Sequence, residues 1–162
     1  MGWDESISTP RFLLLHSLAH AVVRRLSFDA GYSASSIRER IYSSSEGAGM
    51  CGILIYTADG DSEGSLGGLV RMGQPEKFGK LLSAALMDVS WCSADPVCRE
   101  TEETGMDGLN AASCHACLLV SETSCSYNNS FLDRRALVEI GGGAPFFKLE
   151  GFSQGYADGG EG

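Results

Sequence analysis

Residues 92–125 read CSADPVCRETEETGMDGLNAASCHACLLVSETSC and contain five of the six cysteines in the chain. Cys114 and Cys117 form a CxxC pair, a tight turn that can direct two thiolates at one ion. Apolar periodicity fades in this region, and short polar connectors separate the cysteines. Order in such a segment usually comes from metal ligands and not from a wide apolar face. The stretch therefore predicts a metal-organised lobe at about residues 90–130.

Zinc is the metal that best fits these residues, because it takes four sulfur or nitrogen ligands in a tetrahedron. The spacing favours four ligands: Cys98, Cys114, Cys117 and Cys125. Cys92 is the alternative, and Cys98 is the ligand that we expect it to replace. His115 lies inside the pair and is expected to point away. A site closed by four thiolates leaves no position for water, so we expect it to be structural and not catalytic.

Other uses of these cysteines fit the sequence less well. A thioredoxin-like redox pair follows a strand in a βαβ unit, and Cys114 does not. An iron–sulfur cluster also takes four cysteines, and isolated thiols can act as small buried apolar groups. Cys51, which lies far from the others, is expected to be such a buried residue.

The N-terminal part of the chain predicts a long central helix. Thr9 and Pro10 form a helix start, with a hydroxyl at the N-cap and proline at the first helical position. The run 11–29 is strongly apolar, and Gly31 offers a stop. His16 and His20 lie one turn apart and form a polar stripe, which we expect to be buried.

The remaining segments predict an α+β fold: a small, mainly helical domain with few strands and a cysteine-rich zinc lobe. We predict helices at 35–42, 65–72, 75–89 and 131–138, and a strand at 52–56. The expected domain organisation is an N-terminal arm at 1–9, the zinc-binding domain at 10–140, and a glycine-rich, partly disordered tail at 141–162.

The formal net charge of −9 argues against unaided binding to nucleic acid, which usually requires a basic face. Two arginine pairs are nevertheless candidates for contact with a partner or with phosphate: Arg38 with Arg40, and Arg134 with Arg135. No stretch reaches the roughly 20 apolar residues of a membrane span, and no signal peptide is recognisable. We therefore expect a cytoplasmic protein that has no contact with a membrane.

Two further motifs suggest other chemistry. Residues 60–64 match GxSxG, so a hydrolase using Ser62, with His115 as base, is one alternative function. Ser62 lies too far beyond the predicted strand for a sharp nucleophile elbow. His16 and His20 could bind a metal from one helix face, but hydrogen bonds to backbone, or to Asp59 or Asp61, explain them better. A purely structural interaction module without a role on DNA is the other alternative.

Several ordered blocks of sequence carry a resemblance to a known family. They are LHSLAHA at 15–21, RERIY at 38–42, GILIY at 52–56 and CHACLLVSETSC at 114–125. Their order resembles the MrfA-like zinc-binding domain family, found at the C-terminal end of certain superfamily-two helicases. The likeness spans about residues 10–138 and is strongest to the DrmB-like branch, from the DISARM anti-phage defence system.

This resemblance implies a zinc-binding accessory or scaffolding domain in DNA repair or phage defence. It implies a helicase-like partner. We expect contact with DNA only through that partner, because of the net charge, and no catalysis by this chain, because its sequence offers no complete catalytic constellation. In the wider family a glycine-proline often accompanies the CxxC pair. Here Ser113 precedes the pair and His115-Ala116 fill it, which favours the DrmB-like branch.

Overall fold

The computed structural model describes residues 9–44, 49–57, 67–142 and 144–151. The helices in this part of the chain are α1 (Pro10–Ala30), α2 (Gly67–Met72), α3 (Pro75–Val89) and α4 (Val97–Glu100). The strands are β1 (Ile37–Ser43) and β2 (Cys51–Thr57), and single 3-10 turns lie at Met106–Gly108, Arg134–Ala136 and Leu149–Gly151. This arrangement confirms the α+β class. None of the described helices has both the length and the apolar character needed to cross a membrane.

Helix α1 is the centre of the domain, as its sequence predicts. The hydroxyl of Thr9 accepts a hydrogen bond from the backbone N–H of Phe12 at 3.2 Å, and Pro10 occupies the first turn. Gly31 ends the helix with a φ of 69°, a left-handed conformation that glycine adopts without a steric cost. The helix contacts both the sheet and α3, so it buries residues around much of its circumference.

Strands β1 and β2 form an antiparallel hairpin in which Ile37 pairs with Thr57 and Ile41 with Ile53. The predicted strand at 52–56 is confirmed, but the predicted helix at 35–42 is wrong. Ile37, Glu39 and Ile41 alternate on one buried face of β1, which is the period of a strand. A buried carboxylate in the middle of that face conceals the alternation.

Helix α3 covers the other side of α1 and confirms the predicted helix at 75–89. Val22 and Leu26 from α1 share one core with Leu86 and Val89 from α3. The predicted helix at 65–72 is described from residue 67 onward, as α2.

The C-terminal half contains little regular secondary structure. The predicted helix at 131–138 is wrong, because Asn129 and Phe131 have left-handed φ values of 54° and 61° and only Arg134–Ala136 forms a helical turn. The side chain of Asp133 accepts a hydrogen bond from the N–H of Arg135 and begins this turn. Residues 1–8 of the predicted arm and 152–162 of the predicted tail lie outside the described residues.

The packing of α3 against α1 can be tested with two adjacent residues. Leu86 is fully buried, whereas Met87 is 48% exposed. Leu86→Ala is expected to lower the free energy of unfolding by about 2–5 kcal/mol, because it leaves a cavity in the core. Met87→Ala is expected to change it by about 0.5 kcal/mol or less. Urea denaturation followed by circular dichroism measures both, and equal effects of the two substitutions would contradict this packing.

Candidate metal centre

Four cysteine sulfurs converge in the C-terminal half of the domain. Sγ of Cys92 lies 3.5 Å from Sγ of Cys114, and Sγ of Cys117 lies 3.7 Å from Cys98 and 3.8 Å from Cys114. The four sulfurs all lie within 4.8 Å of one another. A zinc–sulfur bond of about 2.3 Å gives a tetrahedron with edges of about 3.8 Å. A disulfide bond is only about 2.05 Å long, so the spacing fits zinc and not a disulfide.

Three short elements place these sulfurs. Cys92 follows the end of α3, Cys98 lies in α4, and Cys114 and Cys117 form a turn in which the N–H of Cys117 donates to the carbonyl of Cys114 at 3.2 Å. The backbone also supports the sulfurs directly. The N–H of Ala94 donates to Sγ of Cys92 at 3.4 Å, and that of Cys114 donates to Sγ of Cys117 at 3.3 Å. Such hydrogen bonds stabilise negative charge on sulfur, as metal ligation requires.

Burial governs the ionisation of these thiols when no metal is bound. It raises the pKa of Cys117 to about 11, and it raises the pKa of Cys98 well above the ordinary value. Burial also favours a higher pKa for Cys114, but hydrogen bonds from the backbone of Ala116 and from Cys92 outweigh this effect, so the pKa of Cys114 is lowered. The thiols of Cys98 and Cys117 are therefore protonated at neutral pH without metal. Zinc binding must release protons, so the affinity decreases as the pH falls.

Arg24 fixes the CxxC turn to α1. Its guanidinium donates to the carbonyls of His115 at 3.1 Å, Ala116 at 2.9 Å and Leu119 at 2.7 Å. These carbonyls have few partners within so tight a turn, and the arginine supplies them from the neighbouring helix. This role of Arg24 is not predictable from the sequence, because Arg24 is about 90 residues from the turn that it supports.

Arg134 is not a surface contact residue, contrary to the sequence-based expectation. Its side chain is fully buried, and it donates to the carbonyls of Ala112 at 3.1 Å and Val89 at 3.3 Å and pairs with Asp95. It therefore connects the C-terminal turn to the end of α3 and cannot reach an external phosphate. Arg135 is partly exposed and pairs with Asp133 at 3.1 Å.

The other candidate arginines lie on β1. Arg38 is partly exposed and Arg40 is exposed, on the face of the strand opposite to the core. The guanidinium of Arg40 lies over the ring of Tyr42, 5.9 Å from its centre.

Cys125 lies apart from the four converging sulfurs, and Cys92 takes the fourth position beside Cys98, Cys114 and Cys117. This departs from the ligand set favoured by spacing, in which Cys98 was the residue that Cys92 would replace. Linear spacing does not reveal that the chain turns toward β1 after residue 120. Cys51 is exposed, so the expectation that it is buried is wrong.

His115 is exposed, as expected for a residue inside the CxxC pair. Ser62 lies outside the described residues, as do Asp59 and Asp61.

Cys125 belongs to a second cluster, together with His16, His20 and Glu39. Nε2 of His16 lies 3.0 Å from Oε1 of Glu39 and 3.2 Å from Sγ of Cys125. Nε2 of His20 lies 3.7 Å from Oε1 of Glu39. All four side chains are buried, so the expected buried polar stripe is confirmed. The expected hydrogen bond to backbone is present between His20 and the carbonyl of Leu118, and the carboxylate beside the histidines is that of Glu39.

The charges of the second cluster follow from its burial and its contacts. Burial opposes ionisation of Glu39, but the neighbouring His16 and His20 outweigh it and lower the pKa of Glu39 to about 2. Burial lowers the pKa of His20. It also raises the pKa of Cys125 to about 12, with the nearby charge of Glu39 contributing. A carboxylate thus lies beside a histidine that resists protonation and a thiol that resists deprotonation.

A groove of ≈ 990 Å³ opens beside the CxxC turn. Its lining includes Arg24, His115 and two exposed aromatic residues, Phe28 (81% exposed) and Trp91 (69% exposed). Because Trp91 directly precedes Cys92, zinc binding and the position of this aromatic ring are connected through the chain.

The fourth position in the sulfur cluster can be tested by substitution. Cys92→Ser is expected to lower the zinc content by about one ion per chain, because three thiolates hold zinc less tightly than four. Cys51→Ser is the matched control, since Cys51 is exposed and outside the cluster, and it should leave the zinc content unchanged. Elemental analysis after gel filtration measures both. Full zinc content in Cys92→Ser would exclude Cys92 as a ligand.

The buried role of Arg134 predicts a sharp contrast with its neighbour. Arg134→Met keeps most of the side-chain volume but leaves the carbonyls of Ala112 and Val89 without this donor and removes the ion-pair partner of Asp95. It is expected to lower the free energy of unfolding by about 3–5 kcal/mol. Arg135→Met removes only a partly exposed ion pair and is expected to cost about 1 kcal/mol or less. Urea denaturation of the two variants at equal zinc content is the measurement, and similar losses would contradict a buried role for Arg134.

Comparison with known proteins supports the metal-binding interpretation. The MrfA Zn-binding domain model matches residues 18–118, a range that contains all four converging cysteines and excludes Cys125. The DISARM protein DrmB of Bacillus paralicheniformis is 44% identical over 139 residues, which make up 85% of this chain and 24% of that protein. The chain thus spans about a quarter of the length of this relative. The match and the fit of the four sulfurs to zinc lead to one conclusion: the chain belongs to the MrfA Zn-binding domain family.

Proposed function

We propose that this chain is a zinc-stabilised accessory domain of a DISARM-like anti-phage defence system, where it binds a helicase-like protein and reaches DNA through that partner. The observation that carries the proposal is the 44% identity to DrmB in a chain that also brings four cysteines together at zinc-ligand spacing. The relative's DISARM name favours defence over DNA repair.

The zinc is proposed to have a structural role. Cys92, Cys98, Cys114 and Cys117 together fill four tetrahedral positions, whereas a catalytic zinc keeps one position open for water or substrate. The ion would hold α4 and the CxxC turn against the end of α3. The domain would then act as a rigid scaffold and not as an enzyme.

The partner is proposed to contact the groove beside the CxxC turn. Tryptophan and arginine are enriched among the residues that contribute most to binding at protein interfaces. Trp91 and Phe28 expose large apolar surfaces there. Arg25 also lines the groove, but it is paired with Asp29 at 2.8 Å and Asp88 at 3.2 Å, so the lining is close to neutral. An apolar segment of a protein suits such a lining better than nucleic acid does.

Contact with DNA is proposed to be indirect. The net charge of −9 opposes binding to phosphate. Arg134 is buried, while Arg24 and Arg25 are engaged within the domain. Arg38 and Arg40, on the outward face of β1, are the arginines that we propose for contact with the partner or with a phosphate that the partner presents.

Co-purification tests the partner proposal directly. The chain is co-expressed with the helicase-like protein of the same defence system, and the amount recovered with the partner is measured. Trp91→Ala is expected to lower this recovery at least tenfold, a loss of about 1.4 kcal/mol or more in binding free energy. Val70→Ala is the matched control, because Val70 is 76% exposed on α2 and does not line the groove.

Three outcomes would contradict the proposal. Equal recovery of the Trp91 and Val70 variants would remove the groove as the contact surface. Loss of self-association in Trp91→Ala, seen by sedimentation of the chain alone, would show that the groove receives a second copy. Tight, salt-dependent DNA binding by the isolated chain would contradict indirect contact.

A further inference from the structure

We propose that His16, His20, Glu39 and Cys125 form a second zinc site, separate from the four-cysteine cluster. The two imidazole nitrogens, the carboxylate oxygen and the sulfur all lie within 4.8 Å of one another. Imidazole, carboxylate and thiolate are each established zinc ligands, and four of them complete a tetrahedron. The inference does not depend on the proposed partner, because it concerns metal binding within this chain.

The distances suit an ion at the centre of the cluster. Zinc bonds of about 2.0–2.3 Å give tetrahedral edges of about 3.3–3.8 Å. The separation of 3.7 Å between His20 and Glu39 falls in this range. His16 lies 3.0 Å from Glu39 and 3.2 Å from Cys125, so a movement of a few tenths of an ångström would accommodate the ion.

The hydrogen bond made by His20 presets this ring for metal binding. Nδ1 of His20 lies 3.1 Å from the carbonyl of Leu118, which can only accept, so Nδ1 carries the proton. In the neutral ring Nε2 then presents a lone pair toward the carboxylate of Glu39. Among the described residues, Nε2 of His20 and Oε2 of Glu39 are buried without a hydrogen-bond partner. The distance from Nε2 of His20 to the other oxygen of this carboxylate, Oε1, is 3.7 Å, so the lone pair and the carboxylate are placed to bind one cation. A ring whose second nitrogen donates to a carbonyl is typical of zinc-bound histidines.

The chain after Cys125 surrounds its sulfur with donors. The N–H groups of Tyr127 and Asn129 both donate to Sγ at 3.3 Å. Left-handed φ values at Asn128 (53°) and Asn129 (54°) form the turn that directs them inward. The sulfurs of the four-cysteine cluster receive N–H donors in the same way, at Cys92 from Ala94 and at Cys117 from Cys114. The sulfur of Cys125 thus receives backbone N–H donors like those that support the sulfurs of the four-cysteine cluster.

Charge and burial favour a closed, structural site. One carboxylate and one thiolate neutralise a divalent ion, whereas a buried carboxylate without a cation is costly. The four ligand residues are between 0 and 7% exposed. The rings of Phe12 and Tyr127 pack against His16, with centroids 5.3 and 5.2 Å away, so the cluster has an apolar surround that excludes water.

A zinc ion here would join parts of the chain that the first site leaves apart. His16 and His20 belong to α1, Glu39 to β1, and Cys125 to the segment that follows the CxxC turn. The two sites are also connected, because His20 donates to the carbonyl of Leu118, the residue after Cys117. The helix, the hairpin and the C-terminal half would thus be held by one pair of ions.

X-ray absorption at the zinc edge of the full, tag-free chain tests the proposal without any substitution. Two sites predict about two zinc ions per chain, with an average of about 2.5 sulfur and 1.5 nitrogen or oxygen neighbours for each zinc. The four-cysteine site alone predicts about one zinc with four sulfur neighbours. One zinc per chain, or a shell of sulfur alone, would overturn the second site.

Two matched glutamate variants assign the ligand. Glu39→Gln is expected to reduce the content to about one zinc per chain and to leave a sulfur-only shell. Glu122→Gln changes an exposed carboxylate in the segment between Cys117 and Cys125 and should keep both ions. Two zinc ions and a mixed shell in Glu39→Gln would refute the assignment of Glu39. If Glu39→Gln does not fold, the spectrum of the unmodified chain still decides whether the second site exists.

Discussion

The convergence of four cysteine sulfurs is the constraint on which the C-terminal half of the domain depends. When they ionise, thiols held within 4.8 Å of one another repel each other. Their thiolate forms are therefore stable together only around a cation. The described residues from 101 to 142 contain one-turn helices and isolated β-bridges, which fix few backbone positions by themselves. Leu118, Leu132 and Val138 of this half pack into the core that α1 and α3 also form. An ion bound by the four sulfurs would hold the irregular segments between these residues against that core.

Helix α1 transmits that constraint to the rest of the molecule. Arg24 donates to two carbonyls inside the CxxC turn and to that of Leu119 just after it. His20 donates to the carbonyl of Leu118, which follows the turn. On the same stripe, His16 contacts Glu39 of β1. The polar stripe of His16, His20 and Arg24 thus joins the metal lobe to the sheet. These contacts explain why polar residues occupy positions of α1 that its apolar pattern assigns to the core.

The sequence predicts the elements whose signals are local and misses those set by distant partners. Helix α1 is recognisable because Thr9, Pro10 and Gly31 mark its ends, and the cysteine cluster is recognisable because a CxxC pair lies close to further cysteines. Strand β1 is concealed because Glu39 occupies a core position. Its carboxylate lies there beside His16 and His20 of α1, which the local sequence of β1 cannot indicate. The placement of Cys125 away from the other sulfurs is concealed for a related reason. It depends on the path of the chain after residue 120, which brings the carbonyl of Ser124 to the N–H of Glu39 in β1, and no spacing of cysteines encodes that path.

The arginines explain why counting basic residues gives a poor estimate of contact with nucleic acid. Arg24 and Arg134 satisfy carbonyls or a carboxylate inside the domain, and Arg25 pairs with two aspartates. A lobe with little secondary structure leaves many carbonyls without backbone donors, and a guanidinium inside the domain can supply several N–H donors to them. Internal use of this kind removes positive charge from a chain that is already acidic. Three of the chain's guanidinium groups are therefore engaged within the domain and are not available to attract phosphate.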